Sequence, residues 1–530
     1  MNLDACAEDQ RDALQRRWQQ QEALFELHYR PDRFARASAQ ELRVLAAERV
    51  QAMQQVLTRL PARPHSKAEL VRSFEQAGFA LRDDEQSLLL DLTLVPALRA
   101  DGSTLRTEQL DLAATDPAVR AVFEAFLAAS RGEKTRAPRI GILTSAARDV
   151  QEAAAFYLQW FKLLGAEPIW IPLDPASRLL RDAGQPFDSP AQACGALLLE
   201  RQRQTGISPR YQHNASLQQA YCTRADLRRQ LESLDGVFFN GGDQSLHLKS
   251  LLRADGSDSP ELALIRRRFD DGELAVMGTS AGTAVQSGNV TTKLPMIAGG
   301  STAQALRQPA RAATPPLPFC QFRQDCPVDI NAETKADADA LFYRAEGGTG
   351  LFRFAVLDTH FSERGRQGRL LALLQQTGFP FAIGVDETTA LVVQQHEDHA
   401  KLSVIGRAGV WLARRDEKSA LHRVSYLLAG DRATLSKHGF SVDLAICDQD
   451  RTYKLVAPDA ARMEAGAGIH EAALIVSRLG KEPLQLRSDD GVVWQFQAGS
   501  GFQVCNRPNG AWAYKEMLIG VQPLFARSED

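Results

Sequence analysis

No uninterrupted apolar stretch in the sequence approaches the ~18 residues that a membrane-crossing helix needs. The first residues, MNLDACAEDQRDALQRRWQQQ, lack the cationic patch and apolar core of a secretory signal. Both absences argue against membrane spanning and secretion. Charge of either sign is not in excess: 62 Lys and Arg stand against 65 Asp and Glu, a formal net charge of -3. Nothing in that balance points to a nucleic acid or a membrane surface as partner. Cysteine is sparse; the seven present (Cys6, Cys194, Cys222, Cys320, Cys326, Cys447 and Cys505) are scattered and show no CxxC or Cys/His zinc spacing. They read as reduced thiols, with no metal or other cofactor implied. No internal repeat is visible. A soluble, cytoplasmic protein is the resulting expectation.

What is present is a long chain of ordinary globular composition, 530 residues with 44% hydrophobic and 24% charged. That length suggests roughly three domains and excludes a peptide, a lone binding module or a disulfide mini-scaffold. From Asp9 to about Leu60 apolar residues recur at helical spacing: Leu14, Trp18, Leu24 and Leu27, then Leu42, Leu45, Val50, Met53 and Leu57. A further helix-like run lies near Ala118 to Ala129, and the polar segment RGEKTRAP, Arg131 to Pro138, marks a boundary. The expected division is a mainly helical extension over 1–135, an α/β domain over 136–412 and a β-rich unit over 413–530.

Past Pro138, short apolar runs alternate with helical periodicity. Strands are predicted at Arg139 to Thr144, Pro168 to Pro172, Gly236 to Asn240, Leu274 to Gly278, Phe354 to Asp358 and Phe381 to Val385. Helices are predicted near Val150 to Leu164, Gln244 to Leu252 and Arg366 to Gln375. Such alternation predicts an α/β fold, a mostly parallel, doubly wound sheet. Ligands of these sheets sit beyond the carboxyl ends of the strands. The stretch from about Leu294 to Arg323, rich in Pro, Ala, Gly and Thr, reads as a long loop. After Trp411 short β-like runs follow: RVSYLL, AALIVSRL, VVWQFQ, FQVC and AWAYKEMLIGVQ.

The sharpest chemical feature is Gly278-Thr279-Ser280-Ala281-Gly282, a G-x-S-x-G pattern between a predicted strand and a short helix. In that context the glycines permit a strained turn that exposes the serine hydroxyl, and the next amide can help form an oxyanion hole. A serine hydroxyl needs a histidine base. Of ten histidines, His360 directly follows a predicted strand, whereas His213, His247, His396 and His399 are less well placed. Arg364, Arg366 and Arg369 follow His360 and suit the capture of carboxylates. A second glycine turn, Asn240-Gly241-Gly242-Asp243-Gln244, could complete the oxyanion hole.

Four segments in this order, FFNGGDQ (Phe238 to Gln244), MGTSAGT (Met277 to Thr283), LDTHFSERGRQGRL (Leu357 to Leu370) and IGVDETTALVV (Ile383 to Val393), resemble the cyanophycinases and their peptidase E type relatives. The resemblance covers about residues 136 to 412. It implies a sheet of the class I glutamine amidotransferase-like type, Ser280 as nucleophile, His360 as base, and Ala281 and Gly242 amides as oxyanion donors. Gln244, Asp358, Arg364, Arg366, Arg369 and Glu387 would line the substrate cleft. The family pattern departs at Thr359, where Gln is expected, and at Thr283, where Ala is usual. It also places an orienting acid soon after the serine, yet no Asp or Glu stands between Ser280 and Asp325. The third triad member is therefore unassigned: Glu346, Asp325, Asp329 and Glu333 in the inserted region are the candidates, and loss of the acid is the alternative.

The implied activity is hydrolysis of cyanophycin, a poly-aspartate carrying arginine on each side chain, to β-aspartyl-arginine through an acyl-enzyme on Ser280. Two other functions fit the same residues: a weakened or inactive relative that binds cyanophycin or a partner protein, and an aspartyl dipeptidase. Similarity also suggests a homodimer.

Overall fold

The computed structural model describes residues 29–35, 47–79, 81, 86, 89–90, 92–93, 95, 110–147, 150–182, 227–253, 255–312, 340–416, 419, 421–445, 447, 467–480, 482–487, 492–507 and 510–522. They group into two compact units, one from Met1–Asp111, Arg148–Trp160 and Phe187–Thr223, the other from Leu112–Ala147, Phe161–Pro186 and Arg224–Asp530. In the first unit, helices at Pro31–Phe34, Ala47–Leu57 and Lys67–Gln76 surround a small core of Phe34, Met53, Leu70 and Phe74. Ser66 starts the third helix with a capping box, its hydroxyl accepting from the Glu69 amide while the Glu69 carboxylate accepts from the Ser66 amide. Of the periodic positions expected here, Val50, Met53 and Leu57 lie on the 47–57 helix, and Leu14 through Leu45 fall outside the described residues.

Among its described residues the second unit holds four sheets. Strands β1 (Arg139–Leu143), β2 (Glu167–Trp170), β3 (Gly236–Phe239) and β4 (Ala275–Gly278) form a parallel sheet in the order β2-β1-β3-β4. β3 is buried at every position, as a central strand covered on both faces requires. Helix Pro117–Arg131 starts at Asp116, whose carboxylate accepts from the Ala118 amide, with proline in the first turn where no amide is needed.

β5 (Met296–Gly299), β6 (Arg311–Ala312) and β7 (Phe342–Arg344) make a second, three-stranded sheet. The expected loop from Leu294 is therefore structured as far as residue 312, with a one-turn helix at Thr302–Ala305 between β5 and β6. Burial of Ile297, Ala305 and Leu306 in the core explains the difference, because single apolar residues among glycines and prolines anchor what periodicity cannot reveal. Residues 313–339 of that segment lie outside the described residues.

β8 (Val356–Thr359) and β9 (Phe381–Val385) are parallel to each other, with Asp358 opposite Gly384 and Thr359 opposite Val385. They do not extend the first sheet. They close one side of a seven-stranded sheet, ordered β16-β17-β18-β13-β12-β9-β8, in which β12 (Gly409–Arg415) pairs with β9 and with β13 (Leu421–Leu428). The six strands read from the sequence thus divide between two sheets. β10 (Thr389–Gln395), β11 (His399–Gly406), β14 (Arg432–Ser436) and β15 (Gly439–Asp443) form a separate antiparallel sheet. β16 (Leu484–Arg487), β17 (Val493–Asn506) and β18 (Trp512–Gln522) confirm a β-rich carboxyl-terminal region.

Two expectations for that region are corrected. AALIVSRL is no strand but part of the helix Ala467–Leu479. Ile469, Ala472, Ala473 and Val476, at helical spacing, are all fully buried in the core that contains Trp494 and Phe496, so packing of one stripe overrides the β-branched character of the run. Cys447 and Cys505 are joined in a disulfide rather than reduced, 58 residues apart in sequence, a pairing that spacing alone does not disclose. Among the described residues no helix is long and apolar enough to cross a membrane.

The parallel sheet is tied at its amino-terminal edge by Asp235. Its backbone amide donates to Arg139 O and its carbonyl accepts from the Ala275 amide, linking β1, β3 and β4. Its buried carboxylate accepts from Arg136 Nη1 and Nη2, Lys134 Nζ and the Arg139 amide at 2.5 to 2.9 Å. Burial pushes this acid up, but the hydrogen bonds from Arg136, the Arg139 amide and Lys134 more than offset it and hold it at about 2. A depressed native value means that its stabilisation is complete above the ordinary aspartate range, near ~4, and is lost as pH falls towards about 2. Asp235→Ala is expected to lower the unfolding free energy by ~3 kcal/mol at neutral pH. Urea denaturation of both proteins at pH 7 and across the acid range checks the loss and its disappearance near pH 2.

Candidate active site

The strand β4 ends at Gly278 and the backbone turns through Ser280, at φ 51 and ψ -117, into the short helix Ala281–Ala284. A positive φ at a non-glycine residue stores ~1–3 kcal/mol and lifts the side chain out of the strand. The turn closes only because both flanking residues lack a Cβ. One at Gly278 would lie 2.1 Å from Gly282 O, and one at Gly282 would lie 2.2 Å from Phe239 O. Thr283 donates its hydroxyl to Gly278 O at 2.7 Å and so braces the same turn. The Ala281 amide, in the first turn of the helix, has no intrahelical carbonyl to bond.

The Asn240–Gly242 turn after β3 stands against the serine. A Cβ on Gly241 would meet Ser280 Cβ at 3.1 Å, and Gly242, at φ 139, is held against Ala146, whose carbonyl a Cβ would reach at 2.0 Å. Gln244 does not present a free amide: its Nε2 donates to Ile297 O and Ala298 O of β5 at 2.8 and 3.0 Å.

His360 follows β8 directly, itself at φ 46. Its Nε2 is 2.7 Å from Ser280 Oγ and its Nδ1 is 2.7 Å from Glu387 Oε1. A carboxylate can only accept, so Nδ1 carries the proton, and in the neutral ring Nε2 is left to accept from the serine hydroxyl. Burial lowers the histidine below its ordinary value; the bond to Glu387 works against that and the charge of Arg364 with it. The ring is therefore held as the free base at neutral pH.

Glu387 was expected as a cleft neighbour, and Glu346 as one of four candidates for the orienting acid. The structure places them otherwise. Glu346 is half exposed and pairs with Arg344 at 3.5 Å, while Glu387, two residues beyond β9, occupies the histidine's Nδ1. The signal was available: β9 is the parallel neighbour of β8, so residues just past Val385 share an edge with His360. Asp325, Asp329 and Glu333 lie outside the described residues.

The three arginines separate. Arg369 is 3% exposed and locked onto the 2% exposed Asp358, with Nε to Oδ2 at 2.8 Å and Nη2 to Oδ1 at 2.5 Å. Arg366 donates to Thr359 O at 2.6 Å and to Asp358 at 3.3 Å, and burial lowers it to about 10. Arg364 is exposed, and its charge acts on His360. Asp358 is thus a buried partner of arginines, and Arg364 is the guanidinium open to a ligand. Thr359 is buried in β8.

Several residues here had not been anticipated. Buried Asp386 accepts from the Ser362 amide at 2.9 Å, the Gly409 amide at 3.3 Å and Tyr426 Oη at 2.7 Å. Glu363 accepts from the Glu387 amide at 3.1 Å, and burial followed by the charge of Asp386 pushes its acid up. These contacts fix the loops that carry His360 and Glu387. Among the described residues no group of three His, Cys, Asp or Glu is placed to hold a metal ion.

Set beside known proteins, the chain matches no protein-family model. It is 31% identical over 189 residues, 36% of its own length, to a cyanophycinase of Trichormus variabilis, of which that covers 48%. It is 32% identical over 185 residues, 35% of its length, to 51% of a cyanophycinase of Geminocystis herdmanii. A cyanophycinase of Thermosynechococcus vestitus is 27% identical over 185 residues, 35% of this chain and 43% of that protein. The chain spans about half the length of the curated relatives it matches. Over that part it is similar to cyanophycinases.

Proposed function

We propose that the chain is a serine-type hydrolase of cyanophycin that releases β-aspartyl-arginine. The observation that carries this reading is the continuous hydrogen-bonded chain Ser280 Oγ, His360 and Glu387. In the reaction, His360 Nε2 takes the Ser280 proton as Oγ adds to an aspartyl carbonyl carbon. The oxyanion meets the Ala281 and Gly242 amides, and Glu387 holds the imidazolium that forms. Collapse breaks the C–N bond, the amine leaving with the proton from His360, and water repeats the sequence in reverse roles to free the acid. Arg364 receives a carboxylate of the substrate. Two features support this assignment: the guanidinium is exposed, and its fork matches a carboxylate.

The direct test is clearing of a cyanophycin suspension with mass analysis of the soluble product. The native chain is expected to clear it to β-aspartyl-arginine, and Ser280→Ala to leave it turbid. Turnover of small aspartyl dipeptides without clearing would replace this reading by the dipeptidase one.

Glu387→Gln is expected to lower kcat by ~10³–10⁴-fold, since an orienting acid contributes on that scale. The pH dependence carries a sign as well. His360 is a base only when neutral, so kcat/KM should rise through an acid limb below the ordinary histidine range, ~6.5, and be flat at neutral pH. Glu387 raises the histidine and Arg364 lowers it. The limb should therefore move to lower pH in Glu387→Gln and to higher pH in Arg364→Ala, as pH-rate profiles will show.

The arginines should divide in the same way they divide in space. Arg364→Ala is expected to raise KM about tenfold with the thermal midpoint almost unchanged. Arg369→Ala, which strands the Asp358 charge in the interior, should lower stability by ~3–5 kcal/mol. Calorimetry beside steady-state kinetics separates the two.

A further inference from the structure

Behind the proposed oxyanion donor lies a second serine and histidine pair that takes no part in the chemistry above. Ser145, His247 and Asn240 are all buried, and none of them contacts Ser280 through a hydrogen bond. His247 Nε2 is 3.0 Å from Asn240 O, a group that can only accept, so Nε2 bears the proton. Its Nδ1 is then an acceptor, and Ser145 Oγ, 2.9 Å away, donates to it. Ser145 belongs to the turn after β1, His247 to the helix Gln244–Leu251, and Asn240 to the turn after β3. Three elements are thus stitched together at one carbonyl. Burial depresses the His247 ring to about 4, which keeps it neutral and the proton arrangement fixed over the range in which the protein would work.

The Asn240 side chain carries the constraint one peptide further. Its Nδ2 donates to Gly241 O at 2.8 Å. The opposite amide orientation would set two oxygens against each other, so the rotamer has one sense only. Gly241 O belongs to the same peptide plane as the Gly242 N–H, and a planar peptide turns as a unit. Fixing that oxygen therefore aims that N–H. From the other side, the Asp243 amide donates to Ala146 O at 2.9 Å, and Gly242 itself is pressed against Ala146. A two-glycine turn has little intrinsic preference for any one orientation, and here it is clamped from both sides.

We infer that Asn240, His247 and Ser145 are positioning residues that orient the Gly241–Gly242 peptide so that its N–H faces the oxyanion formed at Ser280. The inference rests on the serine hydrolase reading of the site and adds to it a relay of buried side chains that no part of the G-x-S-x-G pattern includes. Donors of this kind act only on the charge that develops in the transition state. Loss of the relay should therefore appear in kcat and leave ground-state binding alone.

The test uses the full chain with Asn240→Ala, which frees the peptide, and Ser145→Ala, which removes the hydroxyl that holds His247 Nδ1 and so loosens the ring without a large cavity. Kinetics on β-aspartyl-arginine polymer are measured beside labelling of Ser280 by a fluorophosphonate and binding of a peptide boronate, which forms a tetrahedral adduct, and of the β-aspartyl-arginine product, which does not. The expected result is a fall in kcat of ~10–100-fold in Asn240→Ala and a smaller one in Ser145→Ala. KM and product affinity should stay within about twofold, and boronate affinity should fall in step with kcat/KM. A variant that keeps native kcat, or in which product and boronate affinities fall together, overturns the positioning role while the native protein still turns over. A native chain that neither hydrolyses the polymer nor takes the label at Ser280 overturns the hydrolase reading and this inference with it.

Discussion

The buried pair of Asp358 and Arg369 is the contact on which the site geometry depends. Asp358 is the last residue but one of β8, and Arg369 stands in the first turns of the helix Gln367–Thr377. The guanidinium also bonds Gly300 O, its own amide donates to Thr302 Oγ1 at 3.2 Å, and Thr302 Oγ1 donates to Gly365 O. Strand end, helix start and the 300–302 segment are thereby fixed around one charge pair. His360 sits two residues beyond Asp358 with a strained backbone, and it can hold that conformation because the contacts around Asp358 over-determine its neighbours. Charges this deeply buried stabilise little in net terms, but each forbids the other to move or to be lost.

The chemistry then follows from where parallel strands end. Ser280 follows β4, the glycine turn follows β3, His360 follows β8 and Glu387 follows β9. Each functional group lies at the carboxyl end of its strand, as open α/β sheets require. That β8 and β9 belong to a different sheet from β3 and β4 does not disturb this, because the serine and histidine loops meet through a 2.7 Å hydrogen bond rather than through strand pairing.

Ser280 and His360 were legible because each follows a short apolar run and carries a residue type with few other uses at a strand end. The contact of Glu387 with His360 was not, because the acid was sought by distance along the chain, whereas adjacency of β8 and β9 brings it about. The arginines show a second limit. Arg364, Arg366 and Arg369 look alike in the sequence, and only the burial of Asp358 tells which of them serves the fold. The alternation of strands and helices from Arg139 to Val385 was readable from periodicity. The helix Ala467–Leu479 was not, since Ala, Leu, Ile and Val in sequence satisfy a buried helix and a buried strand alike. Nor could spacing reveal the Cys447–Cys505 bridge.

The pairing order of the seven-stranded sheet also sets a timetable. Every strand of the first parallel sheet has been synthesised once the chain reaches Gly278, so the serine turn can form early. β8 and β9, which carry the histidine and the acid, find only each other until β12 follows, and their sheet is complete only with β18, at Gln522. During synthesis the Ser280 turn is therefore built well before the sheet that carries His360 and Glu387 is complete, so the growing chain holds an unpartnered serine turn through a large part of its later production.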